Sequence, residues 1–119
     1  MAGVGIDLLD IARLERALER RPRLAERLFT DDERYYAEGK AHPGRHLAAR
    51  FCAKEAVVKA LALSHPAFLE IEVVATGTAP EVRLTGGAAE RAAVLGMWPL
   101  VSLTHTDTTA GAVAMLVPE

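Results

Sequence analysis

The chain has 119 residues, enough for one domain with a real core, and at 50% hydrophobic and 25% charged it has ordinary globular composition. A net charge of −2 gives no overall basic field for nucleic acid, and the single cysteine, Cys52, excludes an internal disulfide or a cysteine-rich zinc site. No apolar run approaches the ~18–20 residues of a membrane span, and Asp7 and Asp10 interrupt the apolar stretch near the N-terminus, so the expectation is a soluble cytoplasmic protein with residues 1–119 as a single domain.

Residues 3–9 alternate Val4, Ile6 and Leu8 against Gly5, Asp7 and Leu9 and read as a short strand. Asp10 is the expected N-cap of a helix whose apolar face is Ile11, Leu14 and Leu18, and Pro22 stops it near Arg20. A short helical segment over 23–29 follows. Thr30 and Glu33 form a capping-box pattern that opens a helix over 31–38, ended by Gly39. A long helix is expected from Pro43 to about Leu63, terminated by His65-Pro66. Residues 69–76 and 81–85 read as strands joined by a turn at Gly77-Thr78-Ala79-Pro80. Thr85-Gly86-Gly87 opens a helix of about 87–95 closed by Gly96, and residues 100–105 and 111–117 form a second hairpin. Two hairpins and one dominant helix predict an α+β fold, an antiparallel sheet packed against a long central helix.

The segment Arg50-Phe51-Cys52-Ala53-Lys54-Glu55-Ala56-Val57-Val58-Lys59-Ala60-Leu61 carries four charges inside an otherwise apolar helix. Glu55 and Lys59 share one stripe, Arg50 and Lys54 another, and Ala49, Ala53, Ala56 and Ala60 form a third that admits close approach of another element. On this segment alone Glu55 and Lys59 read first as an ordinary i,i+4 pair; the alternative, which the rest of the chain favours, is that one carboxylate among three cations serves a metal ion and phosphates. Asp7, alone among glycine and aliphatics, reads as an edge-strand carboxylate, a cap, or a metal ligand. With no cysteine cluster and no histidine pair at zinc spacing, oxygen ligands from Asp7 and Glu55 point to Mg²⁺. In residues 11–27 six arginines stand against three glutamates, either a solvated helical face or a docking patch for an acidic partner. Cys52 reads as a small buried hydrophobe, and His42, His46 and His65 receive no role.

Taken together, Gly3-Val4-Gly5-Ile6-Asp7 through Arg13, Phe29-Thr30 with Glu33, Arg50 through Leu61, and Ser102-Leu103-Thr104-His105 resemble the ordered motifs of the holo-[acyl-carrier-protein] synthase family, the small bacterial 4'-phosphopantetheinyl transferases. The resemblance covers nearly the whole chain. It implies the 4'-phosphopantetheinyl transferase fold, a homotrimer with active sites at subunit interfaces, Mg²⁺ dependence, coenzyme A as donor and an apo-acyl carrier protein as acceptor, in fatty acid biosynthesis. It implies Asp7, Glu55 and Lys59 as catalytic residues, with Asp7 and Glu55 holding the metal. Arg50, Lys54, Lys59 and His105 would bind coenzyme A, and Arg13, Arg20 and Arg23 the carrier. One departure stands out: where the family often has Gly-Thr-Gly after Lys-Ala-Leu, this chain has Ala62-Leu63-Ser64. The alternatives are a specialised transferase for a polyketide or peptide-synthesis carrier, and a non-catalytic subunit that binds coenzyme A or carrier.

Overall fold

The computed structural model describes residues 3–119 and has five strands and five α-helices in the order β1 (Val4–Asp10), α1 (Ile11–Arg20), α2 (Leu24–Leu28), α3 (Asp31–Glu38), α4 (Pro43–Leu61), β2 (Ile71–Val74), β3 (Glu81–Leu84), α5 (Gly86–Leu95), β4 (Met97–His105) and β5 (Thr109–Pro118). A 3-10 turn, Phe68–Glu70, precedes β2. The α+β architecture is the expected one, but the antiparallel strands divide between two sheets. One has the order β1-β5-β4; the other is the hairpin β2-β3. Trp98 Nε1 donates to Val82 O at 3.1 Å and ties the two together.

The alanine stripe explains how α4 becomes the centre of the fold. Ala53, Ala56 and Ala60 are fully buried and Ala49 nearly so. With no side chain beyond Cβ in the way, β1 lies almost on the helix backbone. Gly3 N donates to Ala60 O at 2.7 Å, and a Cβ added to Gly5 would stand 2.0 Å from Ala56 O. Gly5 is therefore a close-approach glycine, and it sets how near Asp7, two residues on and on the same strand face, comes to α4. Both hydrophobic clusters of the protein include α4 residues, one around Cys52, Phe29 and Leu14, the other around Val57, Leu61 and Ile71.

Helix ends follow local chemistry closely. The capping box at α3 is complete: Glu33 N donates to Thr30 Oγ1, and Thr30 N donates to the Glu33 carboxylate at 2.9 Å. Pro43 occupies the first turn of α4, where its missing N–H costs nothing. That helix ends at Leu61, not at His65-Pro66. Ala62 adopts the left-handed conformation (φ 53°), its N–H bonds Lys59 O, and Leu63 N bonds Val58 O at 3.0 Å, a Schellman closure with alanine where glycine is usual. Asp10 stands at the N-cap of α1 but makes no side-chain cap bond, because it is still paired in β1 opposite Thr109. Strand β4 begins three residues before its expected start. Pro99 lies inside it, tolerated because β4 is an edge strand and needs no N–H there.

Candidate active site

Strand β1 and helix α4 bring Asp7 and Glu55 together. Both line a groove of about 440 Å³ whose other walls are Leu8, Leu9, Arg13, Leu14, Ala17, Leu24, Leu28, Phe51 and Phe68. The groove is acidic at one end, carries the cation Arg13, and is otherwise aliphatic and aromatic. Lys59 spans the strand–helix contact: its ammonium donates to Ile6 O at 2.8 Å and stands 3.5 Å from Asp7 Oδ1. The lysine side chain is about half exposed, so this pair is loose and available to a phosphate. Among sequence-predicted catalytic residues, Asp7, Glu55 and Lys59 are thus brought to one place.

Partial burial holds the Glu55 carboxyl above its usual range, and the Asp7 charge adds to the shift, with Lys59 opposing it. Beneath them Cys52 is fully buried, its thiol 3.6 Å from Ala110 O. Burial first, then the Asp7 carboxylate, push that thiol up to about 12, so it is a neutral packing group. Among the described residues no three His, Cys, Asp or Glu side chains converge on a point. A two-carboxylate set beside open groove fits Mg²⁺, which takes one or two protein carboxylates and fills its shell with water and substrate phosphate.

A pH prediction follows. A carboxyl whose folded pKa is raised binds its proton more readily folded than unfolded, so its ionisation costs stability as pH rises through that pKa. A cation at Asp7 and Glu55 relieves the cost and competes with the proton. Thermal stabilisation by Mg²⁺ is expected to be largest near neutral pH and to fade as pH falls through the raised titration range of Glu55. In Glu55→Gln it is expected to be weak throughout; melting curves with and without Mg²⁺ check this.

Of the expected coenzyme A ligands only Lys59 stands beside the groove carboxylates; Arg50, Lys54 and His105 do not gather there. Lys54 is corrected outright. It is fully buried, and its three ammonium donors are spent on Glu33 Oε1, Phe68 O and Ile71 O, each at 2.6 Å. No phosphate can reach it. Arg50 and His105 belong to a second group, at the N-terminal half of α4. The Arg50 guanidinium stacks 4.1 Å from the Tyr36 ring centroid, Tyr36 meets His46 edge-on at 5.8 Å, and His46 meets His105 at 6.2 Å. Arg50 is 5% exposed, and its Nε has no hydrogen-bond partner among the described residues. Burial, and then the Arg50 charge, hold His46 below its usual pKa. The sequence assigns His46 no role and does not mark Tyr36; the signal it carries for them is their i,i+4 spacing to Arg50 and Lys40. Arg20 and Arg23 lie exposed at the α1–α2 corner, beside a shallow pocket lined by Arg21, Arg23 and Arg27.

Residues 3–113 match the 4'-phosphopantetheinyl transferase superfamily. The chain belongs to this family. A holo-[acyl-carrier-protein] synthase of Moorella thermoacetica is 43% identical over 98% of this chain and 94% of that protein. Among solved transferases of this family, the acyl carrier protein synthase of Mycobacterium tuberculosis is 36% identical, with a TM-score of 0.75, covering 99% of this chain and 98% of that one. The Helicobacter pylori holo-[acyl-carrier-protein] synthase, solved in complex with coenzyme A, is 27% identical with a TM-score of 0.80, covering 96% of this chain and 99% of that one. Among the described residues of this transferase-family chain, no helix is long and apolar enough to cross a membrane.

Proposed function

We propose that this chain transfers the 4'-phosphopantetheine group from coenzyme A to a serine of an apo-acyl carrier protein, releasing 3',5'-ADP. The observation that carries the reading is the groove lined by Asp7 and Glu55, with Lys59 beside Asp7, in a chain of this family. The serine hydroxyl attacks the β-phosphorus, a P–O bond to the carrier forms, and the bond to the α-phosphate's bridging oxygen breaks. Asp7 and Glu55 would hold Mg²⁺, which when bound supplies positive charge to the pyrophosphate oxygens. Lys59 exchanges its loose contact with Asp7 for a phosphate oxygen. The apolar wall from Phe51 to Leu28 accepts the pantetheine arm, the uncharged part of the donor attached to the attacked phosphorus, against its methylene and gem-dimethyl groups. Positioning and charge stabilisation do the work. The reading is tested by the mass of an apo-carrier incubated with the protein, coenzyme A and Mg²⁺.

The site is proposed to be completed in a homotrimer. On the sheet face turned away from α4, Val4, Ile6 and Leu8 of β1 are each about two-thirds exposed. The strand register sets Val4 beside Met115 and Met115 beside Leu100, and Ile6 beside Val113, so these side chains form one apolar surface. Such a surface on a small protein marks an interface. Assembly through it would let the Arg50–His105 group of one copy serve the donor bound to the next. Ile6→Asp is expected to give monomers by light scattering and to lose most transfer activity; an active Ile6→Asp monomer would contradict the interface-built site.

Arg13, Arg20 and Arg23 are proposed to dock the carrier, which is acidic. Reversing Arg20 and Arg23 to Glu is expected to weaken carrier binding by on the order of 10–100-fold and to leave coenzyme A binding unchanged, because exposed complementary charge orients and steers the partner. Raising salt is expected to weaken the wild-type carrier complex as well. Calorimetry at two salt concentrations checks both; unchanged carrier affinity in the double reversal would move the docking surface elsewhere.

A further inference from the structure

The Lys54–Glu33 pair is buried next to the groove yet contributes nothing to its lining. Glu33, 1% exposed, accepts from Thr30 N through Oε1 and from Val73 N through Oε2, both at 2.9 Å, while Lys54 reaches Oε1. One ion pair thus joins the start of α3, the middle of α4 and, through Val73, strand β2. Lys54 sends its two remaining donors to Phe68 O and Ile71 O, the first residue of the 3-10 turn and the first of β2. Phe68 packs against Phe51, ring centroids 5.3 Å apart, so the two form one continuous groove wall, and Glu55 is the next residue of α4 after Lys54. The turn is short and lies outside both sheets, so the bond to Phe68 O, with the bond to Ile71 O where the turn enters β2, fixes its backbone to the helix that carries Glu55.

We propose that Lys54, neutralised by Glu33, is a positioning residue for the transfer reaction, holding the Phe68 wall at a fixed distance from Phe51 and Glu55 so that the groove is preformed for the pantetheine arm. This rests on the functional reading above. A buried lysine with every donor satisfied and a fully bonded carboxylate partner is rigid, and breaking one partner leaves the other charge buried alone. The consequence for binding is geometric. A wall set free to move must be ordered again by the arm, so the cost falls on donor affinity.

The test uses the full chain and three variants: Lys54→Met with Glu33→Gln, which removes both charges together; Phe68→Ala, which leaves the ion pair intact; and the three changes combined. Lys54→Met alone leaves Glu33 unpaired and risks misfolding. The charge-free pair of changes is expected to raise KM for coenzyme A roughly tenfold with kcat changed less than about threefold, as loss of uniform binding requires. Assays are run well below each variant's melting midpoint. Phe68→Ala is expected to match that KM, and the combined variant to be no worse than either, since both act through one wall. Hydrogen exchange over residues 66–73 is expected to speed up in the charge-free variant. Wild-type KM, multiplying KM effects in the combined variant, or unchanged exchange would each overturn the proposal and leave Lys54 a stabilising residue only. Coenzyme A affinity by calorimetry and hydrogen exchange need no turnover. An inactive wild-type protein would therefore overturn the functional reading while these two measurements still decide the role of Lys54.

Discussion

Asp7→Asn and Glu55→Gln are each expected to lower transfer at least about 1,000-fold while leaving the protein folded, because a metal held by two protein carboxylates fails when either is lost. Asp7 and Glu55 are both part-exposed groove residues, and neither is needed to fill the core. Removing the Glu55 charge even removes a repulsion, since the Asp7 charge helps push its carboxyl upward. The melting temperature without metal is therefore expected to hold or rise in Glu55→Gln while turnover disappears. Asp7→Asn differs in one respect: Lys59 loses its carboxylate partner but keeps the Ile6 carbonyl. Near-normal Mg²⁺-dependent turnover in either variant, measured beside its melting curve, would remove the carboxylate pair from the mechanism.

Gly5→Ala is expected to be the most damaging single methyl group that can be added to this chain. The new Cβ would stand 2.0 Å from Ala56 O and 2.9 Å from Lys59 Cβ, both on α4. A backbone oxygen on a central helix cannot move aside as a flexible side chain can, so β1 must lift away. Overpacking of this kind costs about 3 kcal/mol or more. The movement also carries Asp7 away from Glu55, and activity is expected to fall further than stability alone explains. Gly39→Ala is the control. Its Cβ meets only Tyr36 O at an ordinary 3.7 Å, at a negative φ that alanine adopts. Its effect is expected to stay within about 0.5 kcal/mol. Denaturant melts of the two variants, with transfer assays below the midpoint, measure both.

What the sequence revealed and what it hid divide along the range of the interaction. The α3 capping box, the closure of α5 at Gly96 and the second hairpin were legible because each is decided by neighbours within a few residues. The meeting of Asp7 with Glu55 was legible only as a pattern: a lone carboxylate in a glycine-bearing strand, a second on an alanine-striped helix. The glycine and the alanines are what let the two backbones touch, so the pattern and its physical cause coincide. Lys54 was misread because charge on a helix says nothing about which elements will cover it. Its cover comes from Glu33, 21 positions earlier, and from carbonyls 14 and 17 positions later. The left-handed Ala62 was hidden for a different reason. Alanine is a poor choice for that conformation, and the closure is held by two backbone bonds that side chains do not announce.

Intact mass of a panel of apo-acyl carrier proteins after incubation with the wild-type chain, coenzyme A and Mg²⁺, with Glu55→Gln run in parallel, tests the transfer activity most directly. The predicted result is gain of one phosphopantetheine group on the carrier serine with release of 3',5'-ADP, for wild type only, and the carrier modified fastest names the physiological acceptor class. No mass gain on any carrier, or equal gain with Glu55→Gln, would contradict it.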